Sequence, residues 1–424
     1  MSAPSLGERL LIARMAARAS VAATASRALK APFANLRLVR PRADHFLFVP
    51  SDLRPADPSL LDELESGQMG LGGAVLDLGG SSPFAVVPPT VAWARELNGF
   101  AWLGSLRSSG GTEAVDVARR LVADWCRRNR MRPGGRSQAA VPEVIARRVA
   151  SWVVNAGFLL EEADPAFYRV FTRTLGRELR ALDAASRRAA PGYPRLACLM
   201  ALTLACLAAG GHDRDLPAAE RRLLAELRHQ ILPDGGHITR NPEAVLDILI
   251  DLLPIRQCYA ARHLEAPDVL SGMIEDMLVH LRLMMLGSGT LARFNGAGSA
   301  RDDVLATVLA VNAHSGRSIP TMPPGPAGYA RLVLGLTTLI IDCGRPPPLA
   351  YAGGAHAGAL SFEMSHGGDV IIANRGAPAP SRRQARADSR ATASHSTLVL
   401  DEQSSSRLVR SRHLERLIGC PSNS

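Results

Sequence analysis

The chain has almost no lysine. Lys30 is the only one, so nearly all of its 49 basic residues are arginine. Against 39 acidic residues they give a formal net charge of +10 and an isoelectric point near 10.0. Such a balance suits a polyanionic partner: nucleic acid, anionic lipid or an acidic polysaccharide. The scarcity of lysine beside abundant Ala, Gly and Pro is also the mark of a GC-rich coding sequence, which would give the same basicity without any partner. The six cysteines contain no Cys-x-x-Cys pair, which excludes a zinc ribbon or a dithiol redox motif. Cys198 and Cys206 lie in an apolar helical run and read as small core residues. Nowhere do about 18 uncharged apolar residues run together, so no transmembrane span is expected. A convincing signal peptide is missing too: Arg14 and Arg18 interrupt the apolar run from Leu10 to Met15, and Glu8 lies where basic residues belong. Residues 6–30 read as an amphipathic helix, either on the surface of the first domain or with its Arg-rich face on a membrane.

What is present is mostly helix, then strand. A chain of 424 residues is long enough for two or more domains. Residues 31–87 are rich in Pro, Gly and Ser and read as irregular. Helical periodicity then runs to about residue 313, with candidates at 88–104, 112–130, 141–162, 165–186, 193–210, 217–231, 241–263, 267–287 and 301–313. Turns such as Gly210-Gly-His-Asp and Pro233-Asp-Gly-Gly separate several of them. The run from Val245 to Leu253 is apolar on more than one face and should be packed on both sides. No fixed-period repeat marks a solenoid, so a bundle, a solenoid and a closed ring of helical hairpins all stay open. Beyond a Pro/Gly-rich linker at 315–328, residues 329–411 should be almost wholly β, with runs at 336–341, 359–364, 369–374 and 396–401. Helices followed by strands argue for an α+β multidomain chain. The expected division is an N-terminal helix and irregular segment at 1–57, a helical domain at 58–314, the linker, and a β domain at 329–424.

Polar residues at the ends of the β runs are candidates for a site: His356, Asn374 and His395. Imidazoles at strand ends can point into one cleft. In the helical region, the break at Pro233-Asp-Gly-Gly should put His237 in a loop and outside any core. Arg240 and Asn241 could take a carboxylate there. Asn241 before Pro242 is equally a helix N-cap, and Arg240 equally a solvated charge. Tyr259, further along the next helix, is a phenolic candidate for proton transfer.

Several stretches together resemble the bacterial heparinase II/III family of polysaccharide lyases. Trp93-Ala-Arg-Glu-Leu-Asn-Gly-Phe-Ala-Trp102 looks like an early helix of that family. Pro233-Asp-Gly-Gly-His-Ile-Thr-Arg-Asn-Pro242 looks like the turn lining its cleft. His395-Ser-Thr-Leu resembles its His-Asn-Thr-Leu signature. The resemblance implies an incomplete α/α toroid followed by an antiparallel β-sandwich. It also implies β-elimination at uronate residues of an acidic polysaccharide, with no nucleic-acid partner, in the periplasm or cell envelope; without a signal peptide, the cytoplasm is the alternative. On this reading His237, His395, Tyr259 and His356 are the catalytic candidates, and Arg240, Asn241 and Tyr193 the substrate-binding ones. No cofactor is required, and a divalent metal such as zinc on His356, Asn374 and His395 is an option.

The departures are as informative. Thr239 and Ala244 stand where the lyases carry a Glu and a proton-transferring Tyr. No Asn-His pair precedes the turn; Gly192-Tyr193-Pro194 occupies that region. Gly354-Ala-His356-Ala-Gly358 replaces the family's His-Gly-His-Ala-Asp. After Asp401 the chain turns Arg-rich, with Arg407, Arg410, Arg412 and Arg416, where the family's β domain continues. A C-terminally truncated sandwich with an open edge is therefore expected. A non-catalytic glycan-binding or envelope-assembly relative, which has lost the lyase base, is the alternative to an active lyase.

Overall fold

The computed structural model describes residues 45–129, 137–298, 301–311, 319, 324–379, 382–399, 401–402 and 404–406. The amphipathic segment at 6–30 and the Arg-rich C-terminal stretch lie outside the described residues. The contacts divide the chain into two units, one holding 39–227 and 248–271, the other 228–247 and 272 onward.

The first unit is helical. A short helix α1 (Leu60–Glu65) leads into the hairpin β1 (Gln68–Leu71) and β2 (Ala74–Asp77), then α2 (Val91–Gly99), α3 (Leu103–Ser109) and α4 (Gly111–Arg128). The hairpin corrects the expectation of an irregular segment: Gly72 and Gly73, both at positive φ, make its two-residue turn. The helix expected over 88–104 breaks at Phe100, whose φ of 60° ends α2. Then come α5 (Pro142–Val154), α6 (Ala156–Leu160), α7 (Pro165–Arg188), α8 (Tyr193–Ala208) and α9 (Leu216–Gln230). Asp164 caps α7 through the amides of Ala166 and Phe167.

Aromatic residues hold this unit together. Phe100 packs 5.0 Å from Trp102 and edge-on at 5.4 Å to Trp152, which stands edge-on at 5.5 Å to Trp125. The Arg148 guanidinium lies 4.4 Å over Trp125 and pairs with the buried Glu178. Cys198 and Cys206 are buried in α8, as expected.

The helices α10 (Pro242–Ala261) and α11 (Asp268–Leu283) follow, then α12 (Asp302–Ala310). As expected, the 245–253 run of α10 is buried all round: Val245, Leu246, Ile248, Leu249, Ile250, Leu252 and Leu253 expose no more than 1% each. Among the described residues, no helix is long and apolar enough to cross a membrane.

The second unit carries a four-stranded antiparallel sheet in the order β3 (Tyr329–Leu334), β4 (Thr337–Asp342), β5 (Phe362–His366), β6 (Asp369–Ile372). Leu332 faces Leu339, and Leu339 faces Met364. Leu283, Met284, Leu286, Phe294, Tyr329 and Ile340 form the core on which it rests. The β content is lower than expected over 329–411. Leu349–Gly354 is about two turns of 3-10 helix and Thr392–Ser394 one, and Arg383–Asp388 is a helix, α13. The Arg/Gln/Ala composition of α13 favours helix over strand. The run expected at 396–401 forms no strand among its described residues: His395 O accepts from Thr397 N–H at 2.9 Å, folding the chain into a tight turn.

Candidate functional site

The site is built in the sheet-bearing unit from two histidine segments. The 3-10 helix at Leu349–Gly354 delivers His356, and the turn at Thr392–Ser394 delivers His395. Thr392 stitches the two together: its hydroxyl donates to Ala357 O at 2.6 Å. Phe362 N–H at the start of β5 donates to Ser396 O at 3.2 Å and fixes the second segment to the sheet. His356 Nδ1 and His395 Nε2 then stand 3.1 Å apart, with ring centroids at 5.0 Å. Burial, the neighbouring imidazole of His395, and Arg390 and Arg386 push the His356 pKa down to about 3. Burial also lowers that of His395. Both rings are therefore neutral at pH 7: each can accept a proton weakly, and neither is a ready acid.

Gly358, and Glu363, which the sequence reading missed, shape this pair. A Cβ on Gly358 would fall 2.3 Å from His395 Cδ2, so the glycine standing where the family has an Asp gives the His395 ring its room. Glu363, only 1% exposed, accepts from the amides of Arg293 at 3.0 Å and Asn374 at 2.9 Å. Asn374 Oδ1 in turn accepts from Ser396 N–H at 3.0 Å. Glu363 thus sets the loop that carries Asn374, and Asn374 sets the residue after His395. Strict alternation hides Glu363 in the sequence, because β5 turns its polar residues Glu363 and Ser365 inward.

For the metal site drawn from the family pattern, Asn374 is a weak third donor. Asn374 brings a neutral amide whose oxygen is spent on Ser396, and the two imidazole nitrogens are turned on each other. Among the described residues, no three His, Cys, Asp or Glu side chains come together as a metal site would need.

The turn before α10 holds its polar residues differently from expectation. Leu232 N–H donates to Gly236 O at 2.7 Å and Ile238 N–H to Gln230 O at 2.8 Å, closing a tight loop. His237 is in this loop, as expected, but it is 3% exposed, which corrects the expectation that it avoids a core. Its Nδ1 meets Thr239 Oγ1 at 2.7 Å and its Nε2 meets Gln230 Oε1 at 3.1 Å. Burial lowers its pKa to about 4. Thr239, in the Glu-like slot, is what ties it down.

Arg240 is not a solvated charge, nor is it open to a carboxylate. Its guanidinium donates to Ala327 O at 2.7 Å, to Arg345 O at 3.0 Å and to the buried carboxylate of Asp342, and lies 4.8 Å over the Tyr329 ring. Asn295 Nδ2 donates to Tyr329 OH at 2.8 Å and to Asp342 Oδ2 at 3.3 Å, and Tyr329 OH donates to Arg240 O at 2.5 Å. Asn241 is the N-cap of α10: its Oδ1 accepts from Glu243 N–H at 2.9 Å.

Tyr259 and Tyr193 belong to the helical unit. The Tyr259 hydroxyl donates to Glu220, and burial and that carboxylate push its pKa up, away from any proton-transfer role at neutral pH. Tyr193 begins α8, and its OH accepts from Arg147 Nη2 at 3.3 Å. The structure therefore brings His356, Asn374 and His395 together. Arg240 is linked to them through Asp342 and Asn295, whose Oδ1 accepts from His356 N–H at 3.4 Å. His237 points instead to Gln230 and Thr239.

A helix-rich region followed by an antiparallel sheet is a fold this chain shares with solved heparinases. Residues 322–424 match the family model described as heparinase II/III-like, C-terminal. Heparinase III aligns with a TM-score of 0.62 at 14% identity, over 87% of this chain and 65% of its own. The heparan sulfate lyase HepC of Pedobacter heparinus, as a mutant, aligns with a TM-score of 0.58 at 17% identity, over 93% and 66%. These two likenesses speak for the fold. The FtsZ-localized protein C of Caulobacter vibrioides is 32% identical over 346 residues, 81% of this chain. The chain spans 58% of that relative's length. The chain carries, at residues 322–424, a heparinase II/III-like C-terminal region.

Proposed function

We propose that this chain is a non-catalytic heparinase II/III-like protein that binds glycan and acts in envelope assembly where FtsZ localises. The observation that carries the reading is the state of the proton-transfer and carboxylate-binding candidates. His237 is buried between Thr239 and Gln230, Arg240 is committed to Asp342, and Tyr259 is tied to Glu220. β-Elimination needs a neutralised carboxylate, a base for the C5 proton and an acid for the leaving oxygen. With Arg240 committed inside the fold, and with neither His237, Tyr259 nor the depressed histidine pair suited to act as the acid at pH 7, that set is incomplete. The 32% identity to an FtsZ-localized protein supports the division-site part of the reading. A fluorescent fusion of the full chain, imaged with labelled FtsZ in its own host, tests it. Coincident midcell bands are expected; diffuse or polar signal contradicts it.

The neutral His356–His395 pair favours a second reading, a lyase acting on an acidic polysaccharide with His395 as its base. A panel of uronate polysaccharides, followed by ultraviolet absorbance of the unsaturated product, separates the two.

A further inference from the structure

The strand β3 changes character along its length. Tyr329 and Ala330 are buried, but Leu332, Val333 and Leu334 are 45%, 52% and 86% exposed. Gly335, at positive φ, makes a two-residue turn into β4 with Leu336, which is 69% exposed. Leu332 and Leu334 lie on one face of this hairpin and Val333 on the other, so its tip is apolar on both sides. The tip is also held in place: Gly367 N–H, in the next hairpin, donates to Leu336 O at 2.9 Å.

β3 is an edge strand of the sheet. Among the described residues no strand pairs with its outer side, so backbone N–H and C=O groups face outward there. Soluble proteins commonly guard such an edge with lysine, proline, a bulge or an inward-pointing charge. None of these stands between Leu332 and Leu336, and the register of β3 on β4 runs without a shift. Arg331, the one charged residue of β3, is turned onto the backbone carbonyls of Leu283 and Met285.

Charge and pattern select the occupant. Residues 332–341 carry no charge, so a partner recognised by its charge has nothing to pair with on this hairpin. Two copies of a chain of net charge +10 repel, and an uncharged edge lets them meet without opposing like charges. The edge is also complementary to itself. Laid antiparallel on a second β3 with Val333 opposite Val333, Leu332 of each copy faces Leu334 of the other, and Arg331 falls opposite Gly335. Apolar pairs of this kind are what stabilise neighbouring strands.

We propose that β3 is a homodimer interface, where two copies pair edge to edge and join their sheets into one. The contact is isologous, so it closes at two copies and does not propagate. One short strand from each side makes a small interface, below about 1,200 Å2, so the dimer should dissociate on dilution. The inference is independent of the glycan and division-site reading above.

The test is analytical ultracentrifugation of the full-length protein over a dilution series, with hydrogen exchange read at β3. The wild type should pass reversibly from dimer to monomer, and the β3 amides should exchange more slowly at dimer concentrations. Leu334→Lys changes an exposed side chain and should keep the fold. It should weaken the dimer at least about a hundredfold, because each dimer loses two buried leucines and gains two like charges at one contact. A wild type that is monomeric throughout, or a dimer that Leu334→Lys leaves unchanged, overturns the proposal. Oligomers that keep growing with concentration contradict the closed pairing. A Leu334-dependent dimer without protection of β3 contradicts pairing through the edge.

Discussion

His356 Nδ1 and His395 Nε2 face each other at 3.1 Å, and the environment holds both rings uncharged at neutral pH. The pair joins two loop segments that no strand connects directly, so its protonation state bears on how the end of the sheet-bearing unit is held. His356 titrates near 3 in the fold against an ordinary 6.5. A histidine with a depressed pKa contributes its full stability above the unfolded value and loses it as pH falls toward the folded one.

Stability should therefore drop between about pH 6.5 and 3. His237 and His280, both lowered to about 4 by burial, add to the same slope. Urea midpoints measured at stepped pH should fall across this window. In His356→Phe the fall should be shallower, since one buried imidazole no longer has to charge. An unchanged slope would show that the pair is not buried as described.

Gly358 is expected to tolerate no side chain. Its Cβ would stand 2.3 Å from His395 Cδ2, inside any permitted contact. Gly358→Ala should cost about 1–3 kcal/mol through overpacking and shift the His395 ring resonances. Stability within experimental error of the wild type would place His395 elsewhere.

Arg240 is expected to be a structural residue. Removing it leaves the Asp342 carboxylate buried without its cation, which typically costs about 3–5 kcal/mol. Arg240→Met should lose stability on that scale, and Arg240→Met with Asp342→Asn should recover part of it. Chemical denaturation of both variants reads this directly. An Arg240→Met protein of full stability that loses binding to acidic glycans would restore the substrate-binding role.

Much of this architecture was legible because it is local. The apolar positions of α5 repeat at helical spacing, the near-continuous apolar run of α10 marks a helix packed on all sides, and Asn241 before Pro242 announces its start. The histidine pair was legible as a pair, from residues at the margins of two β-type runs. What the sequence hid is non-local or inverted. Arg240 and Asp342 lie 102 residues apart and nothing in either neighbourhood announces the other. Glu363 occupies an inward position that alternation assigns to an apolar residue, and the sheet accepts it because two backbone amides satisfy it. His237 read as a loop residue because Gly and Pro surround it, but the loop folds inward onto Gln230. The 396–401 run has strand composition and no strand partner among the described residues, so β propensity alone could not place it.

The central claim is that the heparinase-like fold here works without lyase chemistry. Full-length protein incubated with a panel of uronate polysaccharides, with ultraviolet absorbance following the unsaturated product, tests it most directly. The account predicts no product above the no-enzyme control, and the same trace for His395→Ala as for the wild type. Product formation that falls by about 10²–10⁴-fold in His395→Ala would contradict it and make His395 the acting base of a lyase.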